Sequence, residues 1–153
     1  TGDPPSILSM TRAAEPKDPV DLLDFEEICG IMTVSARAAD VLRKHNMGRN
    51  ELKPLMMVDE NNCHMKGRYI PVIREVHSSI IMSRLPSGLH RSLGMRGVKD
   101  FEVPISGDAH GDIDLWSDSH LSTQPLMLSG SLVRALKKAK LTLPSALKRA
   151  DIF

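Results

Sequence analysis

Two short patterns, one in each half of the sequence, limit what this chain can fold into. In each, a β-prone apolar run leads into a serine and then into a helical pattern with one apolar stripe: residues 31–34 before Ser35, and residues 125–128 before Ser129 or Ser131. A serine in this place accepts hydrogen bonds from the open backbone N–H groups of a helix's first turn. The sequence therefore predicts two helices, each capped by a serine and preceded by a strand.

The two patterns also resemble each other. When Ser35 is superposed on Ser129, Leu42 falls on Leu136, and one further apolar residue follows each helix. We therefore expect two similar units of strand and capped helix. Two copies are fewer than a solenoid needs, so a pseudo-repeat and a chance similarity both stay open.

Short β-prone runs occupy much of the remaining chain. They cover residues 52–58, 68–76, 78–82, 97–105 and 113–116, whereas residues 20–28 fit either a short helix or an irregular strand. Strands in the middle, with helices after the first run and near the end, predict an α+β fold in which a few short helices pack on a mainly antiparallel or mixed sheet. The 153 residues, 41% of them apolar, suffice for a single core.

Prolines set the predicted domain boundary. Residues 1–19 contain four of them, and proline fixes φ and removes a backbone donor. We expect this segment to be loosely ordered, with a short edge strand only near residues 7–10. Residues 20–153 are predicted to form a single α+β domain.

Composition argues against several classes of protein. The net charge is +1 and aromatic residues make up 3% of the chain, whereas nucleic-acid binders use basic surfaces and aromatic stacking. The apolar runs are shorter than the ~20 residues of a membrane-spanning helix, and no secretory signal pattern is seen. Cys29 and Cys63 have no paired spacing, which favours reduced thiols. We expect a cytoplasmic protein that binds neither nucleic acid nor a membrane.

Charge is nevertheless segregated along the chain. Acidic stretches cover residues 15–27 and 100–118, and basic stretches cover residues 84–99 and 134–149. Such blocks are often plain solvated faces, but they are also typical of surfaces that select a charged partner.

The segment with the most candidate ligands is residues 107–120. If it is extended, Asp108, His110, Asp112 and Asp114 lie on one side of a strand, and carboxylates with imidazoles can hold a divalent cation. The segment lacks the EF-hand pattern and the zinc-hydrolase spacing, and neither a nucleophile elbow nor a phosphate-binding loop occurs. We predict a polar turn that leads into a strand whose exposed face carries the acids, with no catalytic residue, metal or cofactor.

The C-terminal half carries a family resemblance. Residues 112–118 read DIDLWSD, and residues 126–141 read LMLSGSLVRALKKAKL. Together with residues 31–35, 53–55 and 69–72, they resemble immunity proteins of bacterial polymorphic-toxin systems over roughly residues 20–141. The chain departs from that family at residues 140–144, where Lys-Leu-Thr-Leu-Pro replaces the usual Gly-Leu-Thr-Gly.

The resemblance implies a protein that binds a cognate secreted toxin effector and neutralises it by occluding its active site or its access to substrate, with no catalytic activity of its own. If the toxin is a nuclease, its basic cleft suits an acidic surface, and Trp116 is either an interface anchor or a core residue. The candidate partner-binding residues are Asp108, His110, Asp112, Asp114, Trp116 and Asp118. A metal-dependent enzyme that uses residues 108–120 and a general protein-binding adaptor are the alternatives, and homo-oligomerisation stays open.

Overall fold

The computed structural model of the chain describes residues 6–8, 23–28, 30–58, 64–85, 103–108, 111–120, 126–143 and 147–152. Within these ranges the helices are α1 (Ala36–Arg43) and α2 (Gly130–Lys138), and Met82–Arg84 form a single 3-10 turn. The strands are β1 (Ser6–Leu8), β2 (Phe25–Ile28), β3 (Ile31–Ser35), β4 (Glu51–Val58), β5 (His64–Val72), β6 (Val76–His77), β7 (Val103–Ile105), β8 (Leu115–Asp118), β9 (Leu126–Leu128) and β10 (Leu147–Ile152). The predicted α+β class is confirmed.

A four-stranded antiparallel sheet has the order β2-β3-β5-β4. Its first two strands form a tight hairpin, with Phe25 opposite Val34 and Ile28 opposite Ile31. The end of the ambiguous 20–28 segment is therefore a strand. Pro71 is tolerated in β5 because it has a partner strand on one side only. It pairs with β4, whereas β3 pairs with β5 only at Tyr69 and Arg68, so no second strand needs an N–H group at this position.

The other sheet is mixed and has the order β6-β8-β9-β1-β10-β7. The pairs β6–β8 and β10–β7 are parallel, and the remaining pairs are antiparallel. The strand expected near residues 7–10 is β1 at Ser6–Leu8, and it lies between β9 and β10 instead of at an edge. The rest of the 1–19 segment is outside the described residues.

The mixed sheet closes on itself. Its last strand, β7, meets the chain just after its first strand, β6, through an antiparallel bridge between Ile80 and Ile105. Two backbone hydrogen bonds of 2.9 Å, from Ser106 N–H to the Ser79 carbonyl and from Ile81 N–H to the Pro104 carbonyl, flank this bridge. The six strands therefore form a barrel-like ring, in which the edge of β7 is paired at this point.

Two hydrophobic cores lie on opposite sides of β8 and β9. Leu115 and Leu128 are paired in register and belong to the core that also receives α1 and α2. Trp116 and Met127 are the next pair along, and they belong to a second core with Ile105. Because successive side chains of a strand point to opposite faces, β8 is buried on both faces, and the exposed acidic face predicted for this strand is wrong.

Both helices begin as predicted. The hydroxyl of Ser35 accepts a hydrogen bond of 3.1 Å from Ala38 N–H, and that of Ser129 accepts one of 3.1 Å from Leu132 N–H. Each helix buries one apolar stripe in the first core: Ala38, Ala39 and Leu42 on α1, and Leu132, Val133 and Leu136 on α2. The serine caps are confirmed, while the similarity of the two units as wholes stays a prediction.

Candidate functional site

The ligand-rich segment is not one extended strand. Gly107–Asp108 and Gly111–Asp112 lie in turns, and β8 begins only at Leu115. Asp108 and Asp112 are exposed, whereas His110 lies outside the described residues. A single extended strand, the condition under which Asp108, His110, Asp112 and Asp114 would share one side, is therefore not present in the described residues, and turns stand at Asp108 and Asp112 instead, where the sequence predicted a polar turn.

Asp114 holds the start of α2 and the end of α1 together. Its Oδ1 accepts hydrogen bonds from the hydroxyls of Ser129 and Ser131, and its Oδ2 accepts one of 2.9 Å from Asn46 N–H. Its backbone N–H donates to the Asn46 carbonyl at 2.8 Å. Burial alone raises the pKa of Asp114, but these hydrogen bonds outweigh it and hold the pKa below its ordinary value.

Asp118 has no exposed surface. Its Oδ2 accepts from the N–H and hydroxyl of Ser79, at 2.7 and 2.6 Å, and from Ile80 N–H at 2.9 Å. Its Oδ1 accepts from His120 N–H at 2.8 Å and lies 3.0 Å from the His120 Nδ1. Burial raises the pKa of this carboxyl, but the hydrogen bonds from the Ser79 hydroxyl and from the N–H groups of Ser79, Ile80 and His120 together lower it below the ordinary value. Asp118 is thus a structural anion that joins β8 to the chain after β6.

Trp116 is a core residue. Its side chain is 0% exposed, and its Nε1–H donates to the Ser79 hydroxyl at 3.2 Å. Of the two readings that the sequence left open for this residue, the structure favours the core. Trp116 and Asp118 present no surface to a partner, so only Asp108 and Asp112 remain as described, exposed candidates from the predicted set.

A second aspartate, which the sequence reasoning missed, repeats the arrangement of Asp114. Asp24 Oδ1 accepts from the Ser35 hydroxyl at 2.6 Å, and its Oδ2 accepts from Thr142 N–H, just after α2, at 2.7 Å. In both units the aspartate carbonyl also accepts from the capping serine's N–H, at 2.8 Å for Ser35 and 2.9 Å for Ser129. The sequence carries one signal for this arrangement. In each unit an aspartate stands directly before a strand, and that strand pairs with the strand that leads into the capping serine.

These contacts fix the direction of the helices. The start of α1 is tied to the end of α2 through Asp24 and Thr142, and the start of α2 is tied to the end of α1 through Asp114 and Asn46. Arg37 in the first turn of α1 adds a hydrogen bond of 2.9 Å to the Ala139 carbonyl at the end of α2. The two helices therefore lie antiparallel, joined at both ends.

The outer side of this helix pair is strongly basic. Across residues 36–44 and 130–140, Asp40 is the one acid, and it pairs with Arg43 at 3.1 Å. We call the following exposed cations the basic helix surface: Arg37, Arg43, Lys44, Arg134, Lys137, Lys138 and Lys140. The surface is opposite to the apolar stripes that face the first core.

A polar cluster around Glu75 and Asn50 joins the two sheets. Glu75 is buried and accepts hydrogen bonds from Arg49 N–H at 2.8 Å and from Arg49 Nε–H at 3.0 Å, which lower its pKa. The buried amide of Asn50 accepts from Arg74 N–H and Glu75 N–H and donates to the Leu115 carbonyl. This cluster was not predicted, because its members come from three separate stretches of the sequence.

Three further predictions concern metal binding, membrane crossing and the two cysteines. Among the described residues, no group of three or more His, Cys, Asp or Glu side chains is arranged to hold a metal ion. None of the described helices is long and apolar enough to cross a membrane. Cys29 and Cys63, predicted as reduced thiols, lie outside the described residues.

Comparisons with known proteins found no matching family model, no matching curated protein and no matching solved structure. The resemblance to immunity proteins therefore stays a prediction from the quoted motifs.

Proposed function

We propose that this chain is an immunity protein. It binds a cognate secreted toxin effector in the bacterial cytoplasm and neutralises it by occluding the active site or the access to substrate. It catalyses no reaction in doing so.

One observation carries the choice of a binding role over an enzymatic one: the saturation of Asp114 and Asp118 by internal donors. The metal-dependent alternative relied on carboxylates in residues 108–120 with lone pairs free to coordinate a cation. Asp114 accepts three hydrogen bonds from the two helix units, and Asp118 accepts four. These two residues build the fold, and using them as metal ligands would cost the hydrogen bonds that hold it.

Surface charge supports the same role. Asp108 and Asp112 are exposed on turns, and the basic helix surface lies on a pair of helices that is joined at both ends. Charged patches on a rigid frame accelerate association and discriminate between partners without any chemistry of their own. This combination suits a stoichiometric inhibitor.

The direct test is protection of cells. A candidate effector, taken as the protein that copurifies with the tagged chain from its native cells, is expressed in a laboratory bacterial host, alone and together with the chain. We expect the effector to stop growth and the chain to restore it, because a tight complex removes the free toxin. The two proteins are then expected to co-elute in size-exclusion chromatography.

The control is a destabilised variant, Ser129→Ala with Ser35→Ala, which loses both helix caps and tests whether protection follows the folded protein. Continued growth arrest in the presence of soluble, folded chain, with no complex on the column, would remove the immunity proposal.

A further inference from the structure

The two helices begin in equivalent settings of aspartate, strand and serine. In each, the backbone carbonyl of the aspartate accepts from the N–H of the capping serine, and its Oδ1 accepts from the hydroxyl of the same serine. The strands pair in the same register, because the residue after the aspartate lies opposite the residue before the serine. These pairs are Phe25 with Val34 and Leu115 with Leu128.

Each aspartate also reaches the other helix. Oδ2 of Asp24, at the start of α1, accepts from Thr142 N–H after α2 at 2.7 Å. Oδ2 of Asp114, at the start of α2, accepts from Asn46 N–H after α1 at 2.9 Å. Exchanging the two units would place one bond where the other is. We call these two bonds the reciprocal clamp, and we name the two ends of the helix pair the Asp24 end and the Asp114 end.

The helices are short, and they depend on what holds their ends. α1 has eight residues and α2 has nine, whereas isolated helices shorter than about 12 residues are marginal in water. Both helices therefore rely on packing against the first core and on the bonds at their ends. At about 1.5 Å per residue each helix is only about 12–14 Å long, so the two clamp bonds enclose the whole pair.

The two ends are not held in the same way. At the Asp114 end, the backbone N–H of Asp114 also donates to the Asn46 carbonyl at 2.8 Å. At the Asp24 end, the additional bond comes from the exposed side chain of Arg37 to the Ala139 carbonyl at 2.9 Å. Ordering a long exposed side chain costs rotamer entropy, so the Asp24 end is the one at which opening begins more easily.

From these observations we infer that the reciprocal clamp makes α1 and α2 a single conformational unit, which docks on the first core and releases from it as a whole. When one end opens, a helix of this length loses its cap and its tie together, unwinds, and gives up its bond at the other end. Release uncovers the side of β8 and β9 that carries Leu115 and Leu128. The unit is a property of the fold and does not depend on the immunity proposal.

Native-state hydrogen exchange of the full chain, followed by NMR at low urea concentrations, provides the test. The reporting amides are one pair at the Asp24 end and one pair at the Asp114 end: Ala38 with Thr142, and Asn46 with Leu132. Amides of β4 and β5, the two longest described strands, report on the rest of the fold. Where reclosing is faster than exchange, each rate gives the population of the open form.

In the wild type, we expect the four helix-end amides to share one opening free energy and one dependence on urea, and to exchange faster than the amides of β4 and β5. Different urea dependences at the two ends would overturn the inference, since the ends would then open separately. Merging of the helix-end amides with those of β4 and β5 would overturn it too, because the helix pair would then open only with the whole fold.

A variant at one end tests the coupling directly. Asp24→Asn leaves one acceptor oxygen where there were two, and we expect exchange to become about tenfold faster at both ends, the size expected for a lost hydrogen bond to a charged group. The matched control is Asp40→Asn, which removes an exposed acid of α1 that pairs with Arg43 and takes part in neither clamp bond. It should change each rate by less than about threefold. Faster exchange confined to the Asp24 end would show that the two ends are independent and would overturn the inference.

Discussion

The carboxylate of Asp24 accepts a hydrogen bond of 2.6 Å from the hydroxyl of Ser35. The same hydroxyl caps α1 by accepting from Ala38 N–H at 3.1 Å. One short contact therefore links a loop, a strand end and a helix start. Because Asp24 also accepts from Thr142 N–H at 2.7 Å, the same carboxylate ties the start of α1 to the chain just after α2.

The first prediction concerns this contact. Ser35→Ala removes both the cap and the donor to Asp24, and we expect it to lower the free energy of unfolding by about 1–2 kcal/mol. Urea denaturation followed by circular dichroism measures the change. Ser78→Ala is the control, because Ser78 is exposed and bonds only the Ser119 hydroxyl among the described residues; it should change stability by less than about 0.5 kcal/mol. Equal effects for the two would refute the capping role.

The second prediction concerns acid stability and Asp118. Its pKa is lower in the folded state than the ordinary value of 3.8, so the ionised form stabilises the fold above that value. This stabilisation is lost as the pH falls from the unfolded pKa through the folded one. We expect Asp118→Asn to cost about 2–3 kcal/mol near neutral pH, because buried donors lose a charged acceptor.

The measurement for Asp118 is urea denaturation of both proteins across the acid range. The difference in stability between wild type and Asp118→Asn should shrink as the pH falls below about 4. A difference that stays constant down to strongly acidic pH would show that ionisation of Asp118 does not stabilise the fold.

A pair of buried serines provides the third prediction. Ser79 and Ser117 are each 1% exposed. The Ser79 hydroxyl donates to Asp118 and accepts from Trp116 Nε1–H, whereas the Ser117 hydroxyl has no hydrogen-bond partner among the described residues. Ser79→Ala should destabilise by about 1–3 kcal/mol, and Ser117→Ala should be neutral or stabilising, because it removes an unpaired buried hydroxyl. Thermal denaturation ranks the two variants, and the opposite order would contradict this account.

The fourth prediction compares two glycines with nearly the same backbone. Gly48 has φ +55° and Gly111 has φ +58°, so alanine at either position costs about 1–2 kcal/mol from the left-handed conformation alone. At Gly48 an added Cβ would also lie 2.7 Å from Glu75 Oε1 and 2.7 Å from Ile113 Cδ1, while at Gly111 it meets no atom within 4 Å.

We therefore expect Gly48→Ala to destabilise by about 1–3 kcal/mol more than Gly111→Ala does, because the Glu75 cluster and Ile113 must move. Chemical denaturation of the two variants under the same conditions measures this difference. Similar losses of stability would mean that the close packing around Gly48 has no energetic consequence.

Local rules explain what could be predicted from the sequence. The caps at Ser35 and Ser129 were predictable because an N-cap depends on a hydroxyl and the next three residues. The strand positions of residues 52–58 and 31–34 were predictable from β-branched and apolar runs. The bond between Asp24 and Thr142 joins residues 118 positions apart, and no local pattern encodes such a pair.

The wrong or undecided predictions concern strands whose surroundings are formed by residues far away in the sequence. Trp116 was left between core and interface because an alternating strand is usually exposed on one face. The helices cover one side of β8 and the second core covers the other, so both faces of the strand are buried. β1 was expected at an edge because of the surrounding prolines, yet its three residues pair with β9 on one side and β10 on the other.

The central claim is that this chain neutralises a toxin effector by binding it. The most direct measurement is the enzymatic activity of the purified effector at increasing molar ratios of the chain. The account predicts a linear fall of activity to zero at equimolar concentration, as expected for a tight stoichiometric inhibitor. Full effector activity in the presence of a large excess of folded chain would contradict it.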